Sequence, residues 1–144
     1  MPIVFAANVP QWMRRQVRRW VRVLGYDDWS IEVRRATEDE LREFVGCGAE
    51  DATMITAAAH PLPEYLSAEL LFNEELDAAG AEDAIIHELL HCHLAPFTLL
   101  FEQLWDGRRK ASKKQARAML ANLIEERIQR HVRQLQRARG RGGA

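Results

Sequence analysis

Residues 81–94 constrain this chain more than any other stretch. They read AEDAIIHELLHCHL, with His87 and His91 four apart among Ala84, Ile85, Ile86, Leu89 and Leu90. The run is predicted to be a helix. Glu82 and Asp83 suit the positive end of a helix dipole, and Pro96 is predicted to stop it. A helix apolar around most of its circumference has to be enclosed by the rest of the chain. With 144 residues, 47% of them apolar, there is enough chain to build that enclosure as one domain, taken as residues 1–139 with a disordered tail at 140–144.

The flanking patterns say what encloses it. Residues 10–24 repeat Trp12, Met13, Val17, Trp20, Val21 and Leu24 at helical spacing, with Arg14, Arg15, Arg18, Arg19 and Arg22 between them. Asn8 is a candidate cap and Gly25 a candidate stop. Residues 29–35 alternate apolar and polar, which predicts a strand. Residues 38–45 predict a short helix or turn closed by Gly46 and Gly48. Residues 52–60, bounded by Pro61, and residues 65–72 predict two further strands. Residues 97–105 fit a short helix broken by Asp106 and Gly107. Residues 111–139 fit one long helix, with Met119, Leu120, Leu123, Ile124, Ile128, Val132 and Leu135 as its stripe. The order of helix, strands and then helices gives a compact α+β fold.

Charge and cysteine usage bound the partners. The formal net charge is −1, so the total gives no reason to expect a nucleic-acid or membrane partner. Residues 36–106 hold sixteen acids and one base, Arg42, whereas from residue 107 onward there are twelve bases and two acids, Glu125 and Glu126. This asymmetry suggests that the ends fold against the middle, and solvated helix faces account for most of it. There is no signal-peptide pattern and no run of about 18 apolar residues, so no membrane span is expected. Two cysteines without a C-x-x-C spacing, Cys47 and Cys92, fit a reduced cytoplasmic protein.

His87-Glu88-Leu89-Leu90-His91 is an H-E-x-x-H motif. Residues four apart on a helix lie about 40° apart around its axis, so both imidazoles reach one ion. Zinc takes imidazole nitrogen at about 2.0–2.1 Å. Glu88, about 100° round from His87, is placed beside the ion, where a carboxylate can take a proton from zinc-bound water. A chance occurrence is expected roughly 0.02 times in a chain of this composition, before the helical context a match also needs.

The third ligand is open at this level. His93 lies about 200° from His91 on an uninterrupted helix and ligates only if the helix unwinds before Pro96. Glu125 and Glu126 are the only acids of the last helix, and either would complete a site of two histidines and one glutamate. Glu126 is favoured because it follows Met119 and Leu123 at helical spacing. His131 is a further candidate. At least one of the two glutamates is expected to be a surface residue paired with Arg130 or another base.

With Ala95-Pro96 after it and Glu125-Glu126 in a later helix, the segment AEDAIIHELLHCHLAP resembles the small zinc metallopeptidase-like proteins of bacteriophages and prophages, the minimal gluzincins. The resemblance is sharp over about sixteen residues. It implies a small antiparallel sheet packed on the zinc-bearing helix, with residues 65–72 as an edge strand that binds an extended peptide by strand addition. It also implies zinc held by His87, His91 and Glu125 or Glu126, with Glu88 as general base. The implied function is hydrolysis of peptide bonds in a peptide or protein substrate. Tyr65, His60 and His131 are candidates to stabilise the oxyanion. The alternative is a catalytically silent zinc module serving protein–protein contact; an unligated Glu at position 88 favours catalysis. The metzincin continuation, a Gly and a third His, is absent. The oligomeric state is not legible.

Overall fold

The computed structural model describes residues 3–46, 54–105 and 110–141, with side chains omitted at 103–105, 110–113 and 140–141. The chain forms two compact units, Met1–Cys92 and His93–Ala144.

The first unit is built on a four-stranded sheet of order β1-β2-β4-β3, from β1 (Ile3–Phe5), β2 (Ser30–Ala36), β3 (Ala57–Leu62) and β4 (Ser67–Asn73). The sheet is mixed rather than wholly antiparallel. β1 pairs β2 and β2 pairs β4 in parallel, and only β3 runs antiparallel to β4. The links explain the directions. Helix α1 (Gln11–Val23) lies between β1 and β2, and helix α2 (Glu38–Val45) lies between β2 and β3. The α1 crossover carries the chain back to its starting end, which makes β2 parallel to β1; β3, reached through α2, runs opposite to β2, and the turn after it brings β4 back parallel to β2. Only the short 3-10 turn Pro63–Tyr65 joins neighbouring strands tightly enough for a hairpin. Leu66 closes that hairpin at φ 47°, in the left-handed region.

β4 is therefore interior, and the edge strands are β1 and β3. This corrects the expectation that residues 65–72 form an edge. The burial pattern agrees, because Leu70, Leu71 and Phe72 are fully buried on both faces of β4, as a strand covered on both sides requires. Pro61 sits inside β3 opposite Ala68 rather than before it, which an edge strand tolerates. β1 carries no alternation in sequence; it is held through Ile3, Val4 and Phe5 against Ile31, Glu32 and Val33.

Each sheet face receives a helix layer. One face presents Ala36, Ala58 and Leu71, which cluster with Leu41 and Phe44 of α2 and with Ile55. A Thr37–Glu40 capping box starts α2, and Gly46 at φ 77° ends it. The opposite face presents Ile31, Val33, Ala68, Leu70 and Phe72. The apolar sides left to cover it are those of α1 (Met13, Val17, Trp20, Val21) and of the first turns of helix α3.

α1 ends in a Schellman motif. Tyr26 N–H donates to the Val21 carbonyl and Gly25 N–H to that of Arg22, with Gly25 at φ 77°. Asn8 does not cap α1. Its side chain instead makes both hydrogen bonds to the Arg35 backbone, which leaves Pro10 at the cap position.

α3 runs unbroken over Ala78–Trp105 with Pro96 inside. The predicted stop near Pro96, and a separate helix at residues 97–105, are thus replaced by one helix. Proline removes a single N–H and one i→i−4 bond, and the turns on either side carry the helix across. Its stretch Ala78–Glu102 is long and apolar enough to cross a membrane by length and composition, with a mean hydropathy of 1.3. That apolarity has another use in the first unit, where Ala81, Ile85, Ile86 and Leu89 are buried. Glu82, Asp83, Glu88 and three histidines on the same stretch are costly in hydrocarbon.

The second unit contains the rest of α3 and helix α4 (Lys110–Arg141). Arg117 joins the two through a bidentate ion pair to Glu102, both bonds at 2.6 Å. Asp106, Gly107, Gly48, Cys47 and residues 142–144 lie outside the described residues. α4 itself reaches Arg141, beyond the predicted start of the tail.

Candidate metal centre

The H-E-x-x-H turn lies in α3, nine to thirteen residues from its start, and two polar contacts from α1 and its exit hold that helix in place. Trp20 Nε1–H donates to Glu82 at 3.0 Å. The buried Tyr26 hydroxyl donates to the Leu89 carbonyl, inside the motif, at 2.6 Å. Burial and the neighbouring Cys92 push the Tyr26 phenol well above its ordinary range, so it remains a donor. Nothing in the sequence singles out Tyr26 for this contact. Its only local signal is that it follows the helix-ending Gly25, and its partner is 63 residues away.

His87 and His91 are both half-buried, and their Nε2 atoms lie 3.1 Å apart. The ring centroids are 4.9 Å apart with planes inclined at 60°. Two nitrogens bound tetrahedrally to zinc at its usual bond length sit about 3.3–3.4 Å apart. The observed spacing is within a few tenths of an ångström of that bite. Two imidazole lone pairs facing each other at this distance repel unless a positive centre, a proton or a cation, lies between them. The donor set and its spacing therefore fit a zinc ion.

Glu88 is buried, at 6% exposure. It lies about 60° from His91 around the helix axis, on the side that also carries Cys92. Burial first, and then the Glu88 charge, push the Cys92 thiol up to about 12. Cys92 is thus held as a neutral thiol beside Glu88, about 100° round the helix axis from His91.

α4 separates the two candidate glutamates. Ile128 and Val132 are its buried residues among those described, whereas Met119 and Leu123 are 61% and 57% exposed. Around the axis Glu125 lies about 60° from Ile128 and Glu126 about 160° from it. Glu126 therefore shares the solvent face with Met119 and Leu123, and its carboxylate pairs with Arg130 at 3.1 Å. The reason for favouring Glu126 is overturned, because the residues that ranked it are not on the buried face. Glu125 is on the flank of that face.

The other candidates fare as follows. α3 does not unwind before Pro96, and His93 is exposed. His131 is exposed and donates from Nδ1 to the Arg127 carbonyl of its own helix at 2.8 Å. Tyr65 is 73% exposed on the hairpin tip. His60 is exposed on edge strand β3, edge-on to Phe44, beside a cleft lined by Phe44, Val45, Ala59 and His60. None of the cleft's lining residues belongs to the His87–His91 turn.

Comparison with protein-family models, with curated proteins and with solved structures finds no match for this chain. The functional reading therefore stands on the site's own chemistry.

Proposed function

We propose that this chain is a zinc-dependent hydrolase of peptide bonds, of the minimal gluzincin type, acting in the cytoplasm on a peptide or protein substrate. The observation that carries this reading is the convergence of His87 and His91 Nε2 to 3.1 Å on a helix that also presents Glu88. His87 and His91 hold the metal. The sequence offers Glu125 or Glu126 as the third ligand, and of the two Glu125 is preferred because Glu126 is on the solvent face of α4 and tied to Arg130.

A zinc ion bound there supplies Lewis acidity, lowering the pKa of water to near 7 and polarising a carbonyl. Glu88 supplies the proton traffic. It accepts a proton from the attacking water and returns it to the departing amine, which suits a carboxylate held in a poorly solvated position. Tyr26 is a positioning residue: it grips the Leu89 carbonyl between the two histidines and fixes that turn against α1.

The test is metal content of the purified protein beside cleavage of a peptide library. Wild type should carry about one zinc per chain. His87→Ala and His91→Ala should lose it, and Glu88→Gln should keep it while losing cleavage by about 10²–10⁴-fold. Wild-type protein without zinc after reconstitution sinks the reading. Zinc bound but no cleavage by wild type leaves the silent module instead.

A further inference from the structure

α1 carries a second feature, unrelated to the motif. Its thirteen residues include five arginines and no acid. Arg14 is used internally, donating to the Val9 and Ala6 carbonyls. The other four, Arg15, Arg18, Arg19 and Arg22, follow the spacing i, i+3, i+4, i+7, so they form one stripe about 10 Å long on the helix. All four are exposed. None is ion-paired to an acid among the described residues.

Two of the four are also braced. The Arg18 guanidinium stands 5.0 Å from the Phe5 ring centroid, and that of Arg19 stands 5.6 Å from Trp20. Cation–π stacking of this kind restricts a long side chain without consuming its N–H donors. The opposite face of α1 is anchored in the core through Met13, Val17, Trp20 and Val21. The stripe is therefore mounted on a rigid element, and its charge is unpaired among the described residues.

We propose that this stripe binds the phosphodiester backbone of nucleic acid, without regard to sequence. Guanidinium groups match phosphate bidentately, and a row of them at one-turn intervals suits a polymer with regularly spaced anions. An anionic membrane is the poorer occupant, because an interfacial helix has to insert an apolar face, and that of α1 is already buried. An acidic protein surface is poorer too, since the stripe encloses no apolar anchor of the kind protein interfaces centre on. The chain's near-neutral total hides this patch, because the acids that balance it lie elsewhere in the sequence.

The test is fluorescence anisotropy of a random-sequence DNA duplex titrated with full-length protein at several salt concentrations. Four phosphate contacts give a log–log salt slope of about −3.6, equivalent to about 100-fold weaker binding between 50 and 200 mM salt. Combined Arg15→Gln, Arg18→Gln, Arg19→Gln and Arg22→Gln should remove most of that slope. The matching four-lysine variant should keep the slope while binding more weakly, which separates charge loss from misfolding. Arg133→Gln with Arg137→Gln on α4 should leave the slope within about one unit. No duplex binding by wild type, a slope that follows α4 instead, or binding to phosphatidylglycerol vesicles but not to DNA would overturn the proposal. None of these outcomes depends on zinc.

Discussion

The His87–His91 turn and the Glu125–Glu126 pair are both short polar interruptions in otherwise apolar helix faces, yet only the first declares its geometry in sequence. Four residues along an α-helix fix two imidazoles on one side whatever surrounds them, and the rings do converge. Two adjacent glutamates point about 100° apart, so which one matters depends on which side of α4 is covered. That is a tertiary fact. Met119 and Leu123 look like core in sequence and are solvent-facing in the structure, whereas Ile128 and Val132 are buried. A spacing rule survives folding; a face assignment has to wait for it.

The sharpest way to probe the first region is through its buried flank. With its pKa at about 12 against an ordinary 9, the Cys92 thiol should hold about a thousandfold less thiolate at neutral pH than a free cysteine. In a Cys47→Ser background, iodoacetamide should modify native protein that much more slowly than protein in guanidinium. Comparable rates would mean that the turn opens readily. The linkage has a definite sign. The native thiol holds its proton more tightly than the unfolded one, so its contribution is complete below about pH 9 and is lost between about pH 9 and pH 12.

The next effect distinguishes the glutamates. Glu125→Ala should reduce zinc affinity by more than the 10–100-fold typical of changes outside the coordination shell, and Glu126→Ala should leave it unchanged. Competition with a chromogenic chelator reads both. The reverse order would restore the preference drawn from Met119 and Leu123 and reject the face argument. Equal small losses would remove both from the site.

Much of the scaffold was legible for the same reason as the turn. α1, β2, α2 and the first half of α3 carry local periodicity and local stops such as Gly25 and Gly46. What was not legible depends on partners. β1 is three residues of unpatterned apolar sequence that become a strand only against β2. Whether β4 lies inside the sheet or at its edge depends on β3 arriving beside it. Pro96 reads as a stop because its local rule is strong, but the two halves of a 28-residue helix outweigh one missing bond. Of the site, His87, Glu88 and His91 were readable, whereas Tyr26 was not, since nothing near residue 26 indicates the Leu89 carbonyl.

Tyr26 offers a smaller test of how firmly the turn is held. Tyr26→Phe removes one buried hydroxyl donor and leaves the ring in place. The loss should be about 0.5–1.5 kcal/mol in urea unfolding, with zinc still bound. A loss of zinc without a loss of stability would move Tyr26 from positioning the turn to shaping the site itself.

The smallest effect belongs to the solvent side of α4, and it completes the contrast. Glu126 and Arg130 form an i,i+4 pair with side chains 67% and 59% exposed. Such a pair is worth about 0.3–0.5 kcal/mol and weakens as salt rises. Glu126→Gln should therefore shift the unfolding midpoint slightly at low salt and by nothing measurable in about 1 M sodium chloride, where the screening length is about 3 Å. A salt-insensitive loss of about 1 kcal/mol or more, above the usual range for exposed pairs, would mean that the Glu126 carboxylate is engaged by something other than Arg130. The face that sets Glu126 apart from Glu125 would then have been drawn on the wrong side of the helix.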